Sequence, residues 1–77
     1  MEVTGVGSGN VYGTDIYNID SNIGMAAVHA GKLSIGETKT LKIQVLPSMS
    51  GYTLSTRNGV TTRSATGTAV ASYRFID

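Results

Sequence analysis

Cysteine and tryptophan are both missing from the 77 residues, and histidine and proline occur once each. Without cysteine there is no disulfide and no thiolate metal site, and His29 alone cannot build a metal cluster. A chain this short buries only roughly two-thirds of its unfolded surface. Small secreted domains usually compensate with disulfides or a structural metal. Here stability has to come from tight packing, from oligomerisation or from neighbouring parts of a larger protein. Charge is also scarce, six Lys and Arg against five Asp and Glu. That balance lacks the basic excess of a nucleic-acid binder. No apolar run approaches the ~18 residues of a membrane span. Met1-Glu2-Val3-Thr4-Gly5 has neither the basic start nor the apolar stretch of a signal peptide. The absence fits a cytosolically made product, such as a phage protein, and equally a domain of a longer chain.

What is present is small, hydroxylated and glycine-rich. Gly5-Val6-Gly7-Ser8-Gly9-Asn10 reads as a loose end, so residues 1–10 are expected to be a flexible Gly-rich lead-in to a single domain over 11–77. A phosphate-binding glycine loop would follow a strand and open a helix. This one follows five residues and runs into the strand-like pair Val11-Tyr12. Residues 11–17 are short, aromatic and β-branched around a turn at Gly13-Thr14-Asp15. The one convincing helix follows. Asp20 or Ser21 is placed to cap it, Ile23, Ala26, Ala27 and Ala30 make one face, and Gly31 can end it in a left-handed turn. Residues 23–30 carry no formal charge, and Met25 and Val28 lie off the main stripe, so the helix is expected to be enclosed nearly all round.

Beyond the helix the period changes to two. Residues 40–46 put Leu41, Ile43 and Val45 on a buried face and Lys42 and Gln44 outside, with Pro47 as a stop. Residues 51–55 form a short strand candidate. Asn58-Gly59 is the strongest turn signal, and residues 60–63 return from it. Residues 68–76 place Ala69, Ala71, Tyr73 and Phe75 on one face of a closing strand. Short strands, one helix, then strands again make an α+β domain.

Few constellations could carry chemistry. A nucleophile needs an oriented base, and the only histidine sits on the buried helix, where it reads as a packed residue. Asp15, Asn18, Asp20 and Asn22 surround the helix start, but the spacing fails as a calcium loop. The sixth position from Asn18 is Ile23 where glycine is required, and the twelfth is His29 where glutamate is required. Turns and caps account for them instead. Asp15, Asp20 and Glu37 do not suggest the paired carboxylates of a glycosidase. The four tyrosines (12, 17, 52 and 73) sit in strand-like stretches and read as core with hydroxyls at the surface. From residue 46 to residue 76 there are three arginines (Arg57, Arg63, Arg74) and no acid, a local excess suited to an anionic ligand.

Val11-Tyr12-Gly13-Thr14-Asp15-Ile16-Tyr17 followed by Ser21-Asn22-Ile23-Gly24-Met25-Ala26-Ala27-Val28-His29-Ala30-Gly31 resembles the LCCL domain signature, V-x-G-T-x-x-Y and then S-x-I-C-x-A-A-x-H-A-G. The glycine turn and strand over 36–45, Tyr52 with Ser55, and Asn58-Gly59-Val60 are similar to the family's second half. The resemblance runs from about Val11 to Phe75. It assigns Gly13, Thr14, Tyr17, Ile23, Ala26, Ala27, His29, Gly31, Asn58 and Gly59 to a structural motif. It implies an LCCL-like fold in which a central, largely buried helix is wrapped by short antiparallel strands in two small sheets. Family members carry four cysteines in two disulfides, one of them in the helix where this chain has Gly24. A version lacking all four resembles bacterial or phage relatives more than animal extracellular proteins.

The expected function is accordingly non-catalytic, a binding module of a larger bacterial or viral protein, without cofactor or metal. By analogy with the animal relatives the ligand is a cell-surface glycan or lipopolysaccharide, met outside the cell, at its surface or on a virion. Tyr52, Arg57, Asn58 and Arg63 around the hairpin are the candidate ligand-binding residues. The alternative is a structural or decoration domain of a virion, tail or surface filament, packing against other domains or copies; the low charge favours that.

Overall fold

A computed structural model describes residues 1–67 and 69–76. The helix, α1 (Ile23–His29), is followed by Gly31 in the left-handed region at φ 78. Gly24, Met25, Ala26, Ala27, Val28 and His29 are all buried, so α1 is enclosed on every side, as its lack of charge predicts. Its N-cap is Asn22, whose side-chain oxygen accepts the Met25 N–H at 3.1 Å. Neither Asp20 nor Ser21 fills that place. Ser21 turns inward, accepting from the Tyr12 N–H and donating to Asn18 Oδ1 at 2.9 Å each.

Around α1 run β1 (Glu2–Thr4), β2 (Gly13–Thr14), β3 (Ile16–Asn18), β4 (Thr38–Thr40), β5 (Lys42–Pro47), β6 (Gly51–Tyr52), β7 (Thr56–Arg57), β8 (Val60–Thr61), β9 (Ala65–Thr66) and β10 (Ala71–Ile76). All strand pairs are antiparallel. One four-stranded sheet has the order β2-β3-β10-β5, and β1-β4, β6-β9 and β7-β8 are separate pairs. The domain is therefore α+β, one buried helix among small antiparallel sheets. In the central sheet Tyr17 lies opposite Tyr73, with ring centroids 5.9 Å apart and Phe75 6.1 Å from Tyr17. These rings and Val11, Val60, Met25, Ala26, Ala27 and Val28 form the core.

Several expectations are revised. The first part of the opening, read as loose over 1–10, is structured: Val3 is buried and pairs with Lys39, and the amino terminus donates to the Leu41 carbonyl at 3.0 Å. Burial of Val3 fastens this end to the core. Gly24 explains how β1 lies so close, since a Cβ there would stand 2.3 Å from the Thr4 carbonyl oxygen. Where the resembled family carries a cysteine, this chain packs a strand backbone on the helix. Val45, expected on a buried face, is 62 % exposed, while Leu41 and Ile43 are half-buried. β5 has β10 on one side only, so little covers Val45. Pro47 stops this strand as expected, as its last residue, opposite Ala71, a position open to proline on an edge strand. The closing strand begins at Ala71 rather than in the stretch from 68; Thr68 itself, like Asp77 at the expected domain end, lies outside the described residues. The hydroxyls of Tyr17, Tyr52 and Tyr73 are internal: Tyr73 donates to the Ser21 carbonyl at 3.1 Å and Tyr52 bonds Ser72.

Candidate functional site

The hairpin that carries two of the candidate ligand residues is built by its turn. Asn58 and Gly59 have φ of 53 and 78, the pair of left-handed residues that a two-residue hairpin loop needs. The turn is then fixed from both sides. Asn58 Nδ2 donates to the His29 carbonyl at the helix end, at 3.0 Å. The Arg57 guanidinium pairs with Asp15, which sits at φ 66 in the β2–β3 turn. Arg57 and Asn58 are therefore held at the C-terminal end of α1, and both are exposed.

Arg63 lies beyond β8. Its backbone bridges Tyr12, taking a hydrogen bond from the Gly13 N–H and giving one to the Val11 carbonyl, while its side chain is exposed. Tyr52 does not join them. It is 3 % exposed, and its hydroxyl accepts from the Met49 N–H and bonds Ser72 Oγ under the central sheet. A ring so enclosed cannot stack on a sugar, so Tyr52 is removed from the binding set.

Two hollows flank this helix end. The larger, about 540 Å³, has an apolar wall of Val28, Leu33 and Ile35, with polar groups from Asn58, Lys32 and Lys39. Glu37 also lines it, accepting from the Ser34 N–H at 2.9 Å and lying 3.6 Å from Lys39. The smaller, about 360 Å³, lies among Asp15, Ala30, Lys32 and Phe75. Lys32 lines both. The two lysines carry no motif in the sequence; they share the hollow with Asn58, Lys32 from the stretch after Gly31 and Lys39 from β4.

Behind the hairpin lies a buried polar chain. Tyr17 Oη is 2.9 Å from His29 Nδ1, and His29 Nε2 is 3.1 Å from Ser55 Oγ. Ser55 Oγ contacts Thr14 Oγ1, which donates to the Thr53 carbonyl at 2.9 Å. Each hydroxyl has one proton, so the last bond sets the direction of the bonds before it as far as the ring. Thr14 gives its proton to Thr53 and must accept from Ser55, and Ser55 must accept from Nε2–H. Burial disfavours a second proton on the ring, and in the neutral form Nδ1 is bare and accepts from Tyr17. Burial of the fully enclosed ring lowers its pKa from the ordinary 6.5, and burial pushes Tyr17 up to about 12. The arrangement opposes catalysis. A base for Ser55 would present a bare Nε2, whereas here Nε2 is the donor and the Ser55 proton points to Thr14. The oxygens around the helix start are engaged as well: Asn18 by Ser21, Asn22 by the cap and Asp15 by Arg57.

The family model described as the LCCL domain matches residues 4–72. No curated protein matches the chain.

Proposed function

Because the chain belongs to the LCCL domain family, whose members are binding domains rather than enzymes, we propose that it is the glycan-recognising module of a larger bacterial or viral protein. The ligand is a cell-surface polysaccharide or lipopolysaccharide. The observation that carries this reading is the hairpin: Asn58 lines a hollow of about 540 Å³ together with Lys32 and Lys39, and Arg57, next to it in the turn, is exposed and held by Asp15, which lines the second hollow. Two lysines, one of them beside Glu37, and an amide around an apolar wall suit a ligand with hydroxyls, an apolar ring face and a modest negative charge. Arg63 is a flanking contact on the Tyr12 side.

The test is a binding screen of the purified domain against bacterial surface polysaccharides and lipopolysaccharides, with an Arg57→Ala/Arg63→Ala variant and a Lys32→Ala/Lys39→Ala variant alongside. Saturable binding that falls at least tenfold in both variants supports the reading. Binding unchanged in both moves the site elsewhere, and no binding to any glycan overturns it.

One observation favours the second reading, a structural or decoration domain. β5 is an edge strand with a 62 % exposed Val45 at its centre, and an open edge is a template for pairing with another chain. Discrete oligomers in sedimentation velocity, dispersed by Val45→Lys, would establish assembly in place of glycan recognition.

A further inference from the structure

Of the three rings in the central sheet, Tyr17 and Tyr73 are buried and Phe75 is only half-buried. The reason is where α1 ends. Tyr73 reaches the helix start, donating to the Ser21 carbonyl, while Phe75, two residues further along β10, meets Ala30 at the other end. Ala30 and the Gly31 after it carry too little side chain to cover a ring, so Phe75 is left lining the smaller hollow with Asp15, Ile16, Lys32 and Arg74. We infer that this hollow is a second sugar subsite with Phe75 as its stacking platform, so that the ligand is an acidic chain of at least two pyranose rings, one in each hollow. The inference rests on the glycan reading above and extends it to the length and charge of the saccharide.

A pyranose ring presents an apolar C–H face inside a rim of hydroxyls, and this hollow presents the complement. Its apolar part is the Phe75 ring with Ile16 and Ala30. Edge contacts with Tyr17 and Tyr73, centroids 6.1 and 5.9 Å away, hold that ring in place, so stacking on it costs little ordering. The larger hollow has an aliphatic wall, and Phe75 supplies the ring face that the enclosed Tyr52 cannot. The rim is polar. Asp15 receives Arg57 on Oδ1 with its side chain 67 % exposed, and its remaining lone pairs can accept sugar hydroxyls. Arg74 is steadied by giving its Nε–H to Gln44 at 2.7 Å, which leaves its terminal N–H groups to donate.

Lys32 lines both hollows, so they adjoin across it. Each is lined by two cations and one carboxylate: Lys32 and Arg74 with Asp15, and Lys32 and Lys39 with Glu37. Both carboxylates are already paired, Asp15 with Arg57 and Glu37 with Lys39. The excess of positive charge is therefore small and spread along the two sites. It matches a sugar acid, which brings one carboxylate to a ring and keeps its hydroxyls. A densely phosphorylated ligand would set several negative charges against Asp15 and Glu37. The volumes, about 360 and 540 Å³, fall within the roughly 300–1,000 Å³ of ligand pockets. Arg57 is then also the positioning residue of Asp15.

The experiment titrates the full chain with oligogalacturonates of one to four rings, with intact lipopolysaccharide and with its carbohydrate freed of lipid, by calorimetry and NMR. Affinity for the oligogalacturonates should rise at least tenfold from one ring to two and little beyond, and the bound chain should show nuclear Overhauser contacts from sugar C–H protons to the Phe75 ring. Phe75→Leu, which keeps an apolar side chain without a ring face, should remove that rise. Affinity independent of length, or a bound saccharide without contacts to Phe75, overturns the subsite, and the wild-type contacts decide this even if the variant does not fold. Freed carbohydrate that binds with the same contacts identifies lipopolysaccharide sugar as a source; binding of intact lipopolysaccharide that is lost with the lipid overturns the subsite. Saccharide binding that falls in Lys39→Ala, at the larger hollow, and is unchanged in Phe75→Leu removes the subsite and leaves the hairpin reading standing. No binding of any of these probes overturns both.

Discussion

Around α1 the chain is closed by apolar side chains and stacked rings, whereas from residue 48 to residue 67 it is closed mainly by hydroxyl groups. Ala26, Ala27, Tyr17 and Val11 are at most 1 % exposed, and Tyr73 and Phe75 complete an aromatic cluster. In the later region the strands are two residues long and are joined by Thr56–Thr61, by the reciprocal bonds of Ser55 and Thr62, and by Tyr52–Ser72. Leu54 there is 55 % exposed. The net value of a hydroxyl bond is about 1 kcal/mol, while burying a large apolar side chain contributes roughly 1.5–3 kcal/mol. The two regions should therefore open at different free energies, the hydroxyl-bonded one first, and that is where Arg57 and Asn58 sit.

Ala27→Leu attacks the first region and should have the largest effect. Overpacking a fully enclosed site costs on the order of 1–3 kcal/mol, enough to unfold a domain with so thin a margin. An unchanged melting temperature would mean that α1 is not enclosed. Gly24→Ala follows, on the same scale of about 1–3 kcal/mol, because its Cβ would meet the Thr4 carbonyl; lost exchange protection at Val3 should mark the displaced β1. Tyr52→Phe probes the second region by leaving the buried Ser72 hydroxyl and the Met49 N–H without their partner. It should destabilise by about 1–2 kcal/mol, with protection lost around residues 51–66 before α1; simultaneous loss in both would erase the distinction between the regions. Arg57→Ala should be the mildest, under about 1 kcal/mol because its ion pair is solvent-exposed, while abolishing most glycan binding. A large fall in melting temperature for this variant would show that the pair is structural.

The helix was legible because its evidence is local: an uncharged alanine-rich stretch, a glycine after it and the motif around it. The Asn58-Gly59 turn was legible for the same reason, as two left-handed residues in succession leave a strong signature. The cap was missed by one or two residues because Asp20, Ser21 and Asn22 are all competent and only the inward pull of Tyr12 on Ser21 chooses among them. Val45 was misplaced because alternation identifies a face but not whether anything covers it. Tyr52 looked available because its neighbours are polar, and its burial depends on Ser72, twenty residues on. Ser55 and Thr14 stood out only through the family resemblance, and nothing in the order of residues signalled that they join His29 in one hydrogen-bonded chain.

By itself the sequence determined the composition of the core, one uncharged helix with period-two strands around it, because these follow from short-range stereochemistry and apolar spacing. It also determined that no disulfide would assist, and through its motifs the family. The tertiary structure alone decided which hydroxyls and charges meet. His29 with Ser55, Asp15 with Arg57, Tyr52 with Ser72 and Asn58 beside Lys32 are separated by 20 residues or more along the chain. Polar pairing acts over hydrogen-bond distances in space and leaves no periodicity in the order of residues.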